Sequence, residues 1–257
     1  ALGASAANLA SRRVLATLNP NQAKYFSNVM EWNAGGNQHY EGLLLSVQRR
    51  MSRNVSTSVN YTLSHCIGQV MGYNTKPEQT STDPINYNKP GNCDSDRRHI
   101  FNLTAVIDSP KYNQKMLKMI AGDWKLSAIY KFQSGTPLMI QDGTDVSAST
   151  INHQQPDLIN PSGVYTGLSC GGCFYLNKSA FQTQDVAARA ANVPTPYTGN
   201  LGWNSVVGPV YWDLDLALSR DFKMKERYTF QVRADAFNVT NSFVANPPTT
   251  ATSSSAA

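Results

Sequence analysis

The feature that most constrains the fold is an alternation of apolar and polar side chains over residues 53–64, which read RNVSTSVNYTLS. The apolar side, which only Thr57 interrupts, consists of Val55, Thr57, Val59, Tyr61 and Leu63. Side chains of a β-strand point alternately to its two faces, so this segment predicts a ribbon with one apolar and one polar face. The polar face carries small Asn, Ser and Thr residues, which is typical of a strand between lipid and a watery lumen.

The same alternation recurs in five further segments. The six predicted strands, each 11 to 13 residues long, are 40–50, 53–64, 98–108, 123–134, 211–222 and 227–239. At about 3.3 Å per residue and a tilt of about 40°, such strands rise by about 28–33 Å, which is enough to cross a hydrocarbon core of about 25–30 Å. Strands of globular domains usually have only about 5–6 residues. We therefore expect an all-β, antiparallel meander of about six transmembrane strands.

The connections between these strands alternate in length. Met51–Ser52 and Lys223–Glu226 are short, 109–122 is intermediate, and 65–97 and 135–210 are long. Up-and-down barrels have short periplasmic turns and longer outer loops, so the two longest connections are predicted to be outer loops. The longest of them is expected to fold over the lumen, because a structureless loop of that length is unusual in a compact protein.

Composition agrees with this prediction but leaves an alternative open. Only 15% of the 257 residues are charged, against about 25% in ordinary soluble domains. Neutral polar residues therefore carry the polarity, as in an outer-membrane barrel or a secreted β-sandwich. The net charge of +5 is modest, and the basic residues are spread along the chain, so no nucleic-acid partner is expected.

Three regions are predicted along the chain. Residues 1–38 form a loop or helix that leads into the barrel, 39–241 form a partial barrel, and 242–257 form a loop-like tail. Six strands cannot close a barrel, since the smallest single-chain barrels have about eight. The start in ALGA and the low-complexity end in TTATSSSAA also indicate a fragment of a larger barrel.

Two of the four cysteines, Cys66 and Cys93, lie at the ends of the first outer loop. A disulfide between them would close 28 residues and contribute about 3–4 kcal/mol in the chain-entropy model. His65 and His99 flank the same cysteines, so a Cys2His2 metal site is the alternative. The disulfide is the preferred prediction, and no metal site is expected.

The other two cysteines form the sequence Cys170-Gly-Gly-Cys173 in the longest loop. This spacing resembles a redox motif. No helix N-terminus follows that would lower a thiol pKa, however, so a short structural disulfide is favoured.

Acidic and basic residues on the last two predicted strands are candidates for lumen-facing polar groups. Asp213 and Asp215 share one strand face, and Arg233 and Asp235 share the same inward face and are expected to pair with them. Paired carboxylates could act in acid–base catalysis, but acids in a polar lumen are the plainer interpretation. With no catalytic constellation or cofactor motif, the chain is not expected to be an enzyme or to bind a cofactor.

Several stretches together resemble a known family. They are HYEGLLLSVQRRMSRNVSTSVNYTLSHC (39–66), DSDRRHIFNLTAV (94–106), GDWKLSAIYKFQSGTPLMI (122–140), CFYLNKSAFQ (173–182) and GNLGWNSVVGPVYWDLDLALSRDFKMKERYTFQVRADAFNVTN (199–241). In order and approximate spacing they resemble the C-terminal barrel part of TonB-dependent outer-membrane transporters. The closest branch is the Oar-like receptors, which carry an N-terminal carboxypeptidase-regulatory-like domain. The phrases QSGTP, GNLG followed by GP, and RADAFNVTN are specific only in combination.

The resemblance implies a segment of an about 22-stranded receptor barrel in the bacterial outer membrane that takes up a solute. Its partners would be outer-membrane lipid, the rest of the barrel with its plug, and a TonB-type coupling protein that acts through N-terminal regions absent from this sequence. The resemblance does not identify the solute. The alternative function is a secreted β-rich binding or adhesion module, which would need strands of about six residues and charged outer faces.

Overall fold

The computed structural model describes residues 9–26, 37–68, 90–142, 155–166, 175–183, 199–224, 228–243, 245–246 and 248. The strands are β1 Gln38–Ser52, β2 Val55–Gly68, β3 Gly91–Asn92, β4 His99–Asp108, β5 Trp124–Gln133, β6 Pro137–Leu138, β7 Asp157–Leu158, β8 Phe181–Gln182, β9 Val206–Val207, β10 Tyr211–Met224 and β11 Tyr228–Ala236. The helices are α1 Leu9–Arg12, α2 Val14–Leu18, α3 Pro20–Ala23 and α4 Lys115–Ala121. Two 3-10 turns cover Pro161–Gly163 and Lys178–Ala180.

Six long strands form one antiparallel sheet, here called the wall, in the order β1-β2-β4-β5-β10-β11. Each strand pairs with the next long strand along the chain, so the predicted meander is confirmed. The wall strands are 9 to 15 residues long, well beyond the length that a small secreted module would need. The short strand β3 pairs with the end of β2.

The register of the wall brings the apolar sides of all its strands to the same face. Residues directly opposite each other in an antiparallel sheet share a face. One row across five strands is Val47, Val59, Leu103, Tyr130 and Leu214, and the next but one contains Val55, Ile107, Leu126, Leu218 and Ala234. The alternation seen in each segment therefore becomes one continuous apolar surface.

The turn between β1 and β2 differs from the prediction. We expected Met51–Ser52 to be the turn, but β1 continues through Ser52 and the turn residues are Arg53 and Asn54, with φ of 50° and 65°. A two-residue hairpin of type I′ needs positive φ at both central positions, which Asn tolerates better than most residues. The prediction was wrong because alternation alone does not reveal where φ changes sign.

The other strand ends also differ by a few residues. β10 extends to Met224, two residues beyond its predicted end, and β11 stops at Ala236, three residues before its predicted end. β11 ends early because Asn238 adopts a positive φ of 46° and starts a turn. The chain then folds back along β10, where the Val239 N–H donates to the Leu214 carbonyl at 2.9 Å.

The hydrophobic core lies outside the wall. It is formed by described residues of the longest connection, 135–142, 155–166, 175–183 and 199–210, which we call the cap. Its buried apolar residues are Leu138, Ile140, Val164, Leu176, Ala180, Phe181, Leu201 and Val206. Two small antiparallel pairs, β6 with β9 and β7 with β8, hold the cap together. The chain thus contains a sheet without a core and a loop with one.

The N-terminal described segment consists of the three short helical turns α1, α2 and α3, within the region predicted as loop or helix. Within the described part of the chain, no helix is long and apolar enough to cross a membrane.

Candidate functional site

The apolar face of the wall has an aromatic band near each end. Towards the long loops, one cross-strand row contains Tyr61, Phe101, Phe132 and Trp212. Towards the short turns lie Trp124, Phe222, Tyr228 and Phe230. Along β10 the two bands are ten residues apart, which at a tilt of about 40° corresponds to about 25 Å of height. An apolar strip of this height between aromatic girdles matches the lipid-facing surface of an outer-membrane barrel.

Aliphatic side chains between the two bands are left uncovered by the protein itself. Val47 is 66% exposed and Val232 is 50% exposed, although both belong to the apolar face. Exposure of a continuous apolar surface on this scale marks a surface that contacts another apolar medium.

The opposite face of the wall carries polar rows. One row runs through Ser46, Asn60, Asn102, Lys131 and Asp213. Within it, the Ser46 hydroxyl donates to the amide oxygen of Asn60 at 2.8 Å. Asp213, a predicted lumen-facing residue, therefore lies directly opposite Lys131 in a polar environment.

Asp215, the second predicted acid, shares this face but has a structural partner. Its carboxylate accepts the backbone N–H of Asn238 at 3.0 Å. The Ser242 hydroxyl donates to the Trp212 carbonyl at 2.8 Å and so fixes the same turn onto β10. Asp215 thus anchors the segment that follows β11.

The predicted pairing of Arg233 with the acids of β10 is wrong. The Arg233 guanidinium contacts Asp235 on its own strand, at 2.8 Å. The register places Arg233 opposite Ser219, four residues from Asp215 along β10, a separation of about 13 Å. Both partners are substantially exposed, so this pair contributes less than about 1 kcal/mol.

The predicted disulfide between Cys66 and Cys93 is confirmed, with 5.4 Å between the two Cα atoms. It lies where β3 pairs with the end of β2, and the Cys93 N–H donates to the Cys66 carbonyl at 3.0 Å. The Asp96 carboxylate accepts the Cys66 N–H at 3.0 Å. The disulfide and these hydrogen bonds hold the base of the first long loop against the wall. Cys170 and Cys173 lie outside the described residues.

The alternative Cys2His2 metal site is wrong, because both sulfur atoms belong to the disulfide. The two histidines also have other partners. His65 Nδ1 lies 3.1 Å from the Asp96 carboxylate, and His99 Nδ1 lies 2.9 Å from the Tyr61 hydroxyl. No cluster of His, Cys, Asp and Glu suited to a metal ion occurs in the part of the chain that the structure describes.

A buried asparagine, Asn204, helps to join the cap to the disulfide-linked loop. Asn204 is 2% exposed, and its side-chain amide donates to the Asn92 carbonyl at 2.8 Å and to the Asp94 carboxylate at 2.6 Å. The Asn92 amide donates back to the Asn204 carbonyl at 2.8 Å. Asn204 has a φ of 51°, which Asn accepts more readily than other non-glycine residues. Sequence reasoning missed this contact, because 112 positions separate the two asparagines.

Close backbone approach explains the glycines at the base of the cap. A Cβ at Gly135 would lie 1.8 Å from the Gly208 carbonyl oxygen, and one at Gly199 would lie 2.2 Å from the Gln155 carbonyl oxygen. The Gly208 N–H also donates to the Thr136 carbonyl at 2.8 Å. Any side chain at Gly135 or Gly199 would push these segments of the cap apart.

Two tyrosines of the cap hydrogen-bond to the same residue of β9. The Tyr175 hydroxyl donates to the Val207 carbonyl at 3.1 Å, and the Val207 N–H donates to the Tyr165 hydroxyl oxygen at 3.0 Å. Burial, followed by the neighbouring Tyr165, raises the pKa of Tyr175 above its usual value. Tyr175 therefore stays neutral and keeps donating at physiological pH.

A pocket of about 350 Å³ lies where the cap meets the polar face. Its lining includes Arg97, Gln133, Thr136, Pro209 and Tyr211. Gln133 and Tyr211 are directly opposite each other on β5 and β10. Arg97 donates to the Ser134 carbonyl at 3.0 Å. The arrangement offers a cation, an amide and a phenol to a polar ligand.

The whole chain, residues 1–257, matches the family model described as an outer membrane beta barrel domain. The chain belongs to this family. No curated protein and no solved structure matches it with significant similarity. This outer-membrane β-barrel protein is therefore located in the bacterial outer membrane, and its wall is a segment of barrel wall in contact with membrane lipid.

The sequence patterns of this β-barrel protein did not predict the positions of two other functional candidates, Arg97 and Arg220. Arg97 gave no signal, because nothing in a loop pattern shows which arginine lines a pocket. Arg220 did give one, since it is a charged residue among the apolar positions of β10, opposite Trp124. A cation at an apolar position near a strand end points to the membrane interface, where long side chains reach the headgroups.

Proposed function

We propose that this chain is a segment of a TonB-dependent receptor of the Oar-like type, and that it supplies membrane wall and extracellular loops for solute uptake. The observation that carries the proposal is where the three family-like phrases lie. QSGTP contains Gly135, and GNLG followed by GP contains Gly199 and Gly208, which are points of close backbone approach between segments of the cap. RADAFNVTN contains Asn238, which bonds to Asp215. The sequence resemblance thus concentrates on close contacts within the cap and on the turn after β11 that bonds to the wall.

The open edges of the wall support a larger barrel. Among the described residues, β1 and β11 each have a long-strand partner on one side only. Unpaired backbone groups are too costly in hydrocarbon for a sheet edge to remain open there. We propose that further strands complete the barrel, that a plug fills it, and that a TonB-type protein couples it to inner-membrane energy.

The cap supports a role in solute capture rather than catalysis. Its base carries the pocket lined by Arg97, Gln133 and Tyr211, on the same side of the wall as the polar rows. These groups suit hydrogen bonding to a polar or anionic solute. We propose that the solute passes the outer loops, binds in this pocket and then enters the lumen.

Solute depletion from the growth medium tests the proposal. Culture media of the native bacterium, of a strain lacking this gene and of a strain lacking the coupling protein are compared by mass spectrometry after growth. Uptake through a TonB-dependent receptor predicts that the same solute stays behind in both deletion strains. Depletion that needs this gene but not the coupling protein would mean passive diffusion. Lost surface attachment with unchanged depletion would favour the adhesion module.

Neighbouring arginines provide a matched pair for the pocket. Arg97→Ala in the native gene is expected to slow depletion of that solute about tenfold or more, because a charge-assisted hydrogen bond contributes about 1.5–3 kcal/mol. Arg98→Ala removes the same charge from an exposed position that does not line the pocket, and uptake should be unchanged. If the two substitutions had equal effects on uptake, the pocket would not be part of the uptake route.

A further inference from the structure

The connection between β4 and β5 contains a short helix that is attached to the lipid-facing side of the wall. This helix, α4, ends beside two residues of the apolar face. The Trp124 indole N–H donates to the Ile120 carbonyl at 2.9 Å, and the Arg220 guanidinium donates to the Met119 carbonyl. Trp124 and Arg220 are directly opposite each other on β5 and β10. The C-terminal end of α4 therefore lies on the apolar side of the wall, next to the aromatic band towards the short turns.

Arg220 is held in place by aromatic rings as well as by the helix. Its guanidinium carbon lies 5.2 Å from the ring centre of Trp124 and 4.7 Å from that of Phe222. Stacking on two rings partly compensates the charge in an apolar environment. The carbonyl end of a helix also favours a cation. Arg220 thus links α4 to the wall at the height of the membrane interface.

The helix is amphipathic and its apolar side is uncovered. Met116, Met119 and Ile120 recur at helical spacing, and each is at least 63% exposed. Lys115 and Lys118 recur at a spacing of three on the other side. Seven residues form a marginal helix in water, so contacts at its ends and along its faces must stabilise it.

The charge of this connection is of one sign. Residues 109–122 contain Lys111, Lys115 and Lys118 and no Asp or Glu. The connection lies at the same end of the wall as the turn at Arg53–Asn54, because two antiparallel strands, β2 and β4, separate them along the chain. A basic, amphipathic segment beside a lipid-facing surface has the chemistry of a helix that lies in the headgroup region.

We propose that α4 is an interfacial anchor, with Met116, Met119 and Ile120 in the acyl boundary and its lysines on the phosphates of acidic phospholipids. The leaflet concerned is the one at the short-turn end, which is the periplasmic leaflet in the orientation expected from loop lengths. The lipid occupant follows from continuity, because the anchor extends the lipid-facing surface of the wall without a break. The anchor fixes the height of this part of the wall in the membrane.

Spin-label accessibility tests the depth of the helix. The protein, with Cys170→Ser and Cys173→Ser so that only an introduced thiol reacts, is reconstituted into phosphatidylethanolamine–phosphatidylglycerol vesicles. Labels at Met116→Cys and Met119→Cys are expected about 5–10 Å below the phosphates, more accessible to oxygen than to a water-soluble nickel complex. A label at Asn113→Cys, in the same connection before the helix, should be nickel-accessible. Equal nickel accessibility at all three positions would overturn the proposal.

Charge substitutions test the lipid headgroup. With the label at Met116→Cys, the pair Lys115→Gln and Lys118→Gln should move it towards water in vesicles with phosphatidylglycerol, and leave its depth unchanged in neutral phosphatidylcholine vesicles. The control pair is Lys125→Gln and Lys131→Gln, which removes two charges from the polar face. Equal shifts with both pairs, or in both lipids, would contradict binding to acidic headgroups.

The attachment of the helix has its own test. Arg220→Gln removes the guanidinium from the rings and weakens the bond to the end of α4, so the label at Met119→Cys should become at least twofold more mobile. Arg233→Gln, on the other face of the wall, should leave its mobility unchanged. An unchanged label in Arg220→Gln would show that Arg220 does not hold the helix.

Discussion

The wall and the cap cover their apolar side chains in opposite ways. Of the eleven buried hydrophobic residues in the described part of the chain, nine lie in the cap, and the other two are Ala23 and Cys93. None lies in the six wall strands. The cap therefore has a core of its own, whereas the wall has a continuous apolar face that nothing in the described chain covers.

The two regions of this chain are therefore stabilised in different environments, the cap in water and the wall in the bilayer. Burial of apolar surface drives the cap to fold, as it does in any globular protein. For the wall the corresponding contacts come from the bilayer, and backbone hydrogen bonding between strands is obligatory there. Substitutions should therefore fall into two groups, those that change the stability of the cap and those that change the stability of the wall in the membrane.

The largest expected effect is in the cap core. Phe181→Ala removes a buried ring next to β7 and should lower the local unfolding free energy of the cap by about 3–5 kcal/mol. Hydrogen exchange of the β7 and β8 amides measures this value. The control, Phe230→Ala, removes a ring that is 59% exposed on the wall, and should leave cap exchange unchanged. Similar losses in both variants would contradict a separate cap core.

Removal of the disulfide should have the next largest effect. In the double variant Cys66→Ser and Cys93→Ser, the first long loop is no longer closed at its base, at a cost of about 3–4 kcal/mol in the chain-entropy model. Denaturant unfolding with and without the disulfide gives the difference. Peptide mapping without reductant should first detect the linked pair, and free thiols at both positions would refute the premise.

A charge on the wall should be costly on one face only. Leu216 lies midway between the two aromatic bands on the apolar face, so Leu216→Arg should destabilise the protein in lipid by about 2–4 kcal/mol. Its neighbour Ala217 is on the polar face, opposite Asp235, and Ala217→Arg should be tolerated. Reversible unfolding in lipid vesicles compares the two, and equal costs would mean that the faces are wrongly assigned.

The smallest expected effect on stability concerns the hydrogen bonds of Asn204 that join the cap to the first long loop. Asn204→Gly keeps a residue that accepts positive φ but removes the amide that bonds to Asn92 and Asp94. Asn92 is half-buried and Asp94 is exposed, so water can replace part of the lost donor, and the loss should cost about 0.5–1.5 kcal/mol. Hydrogen exchange should increase in β3 and β9 together. An increase in β9 alone would show that these hydrogen bonds do not couple the two regions.

The wall was predictable from the sequence because its signal is local. A period of two in each segment fixes which side chains share a face, and the short turns place β1 beside β2 and β10 beside β11. Strand ends were less predictable. The hairpin at Arg53–Asn54 depends on backbone φ, and the partner of Arg233 depends on a register that the pattern does not specify.

The cap was not predictable, since its strands have two residues each and its contacts are distant in sequence. Leu138 pairs with Val206, and Leu158 with Phe181, without any periodic pattern that joins them. The disulfide was the exception, because two cysteines at the ends of one loop are visible in the sequence. Helix α4 was missed because seven residues give a weak helical signal.

A nitroxide scan along β10 in vesicles tests most directly whether the apolar face of the wall contacts lipid. Single labels at consecutive positions from Trp212 to Leu218 report oxygen accessibility. A lipid-facing wall predicts a period of two, with maxima at Leu214, Leu216 and Leu218 and minima at the residues between them. Accessibility that is low at all three leucines, as in a sheet covered by a second layer of protein, would contradict it.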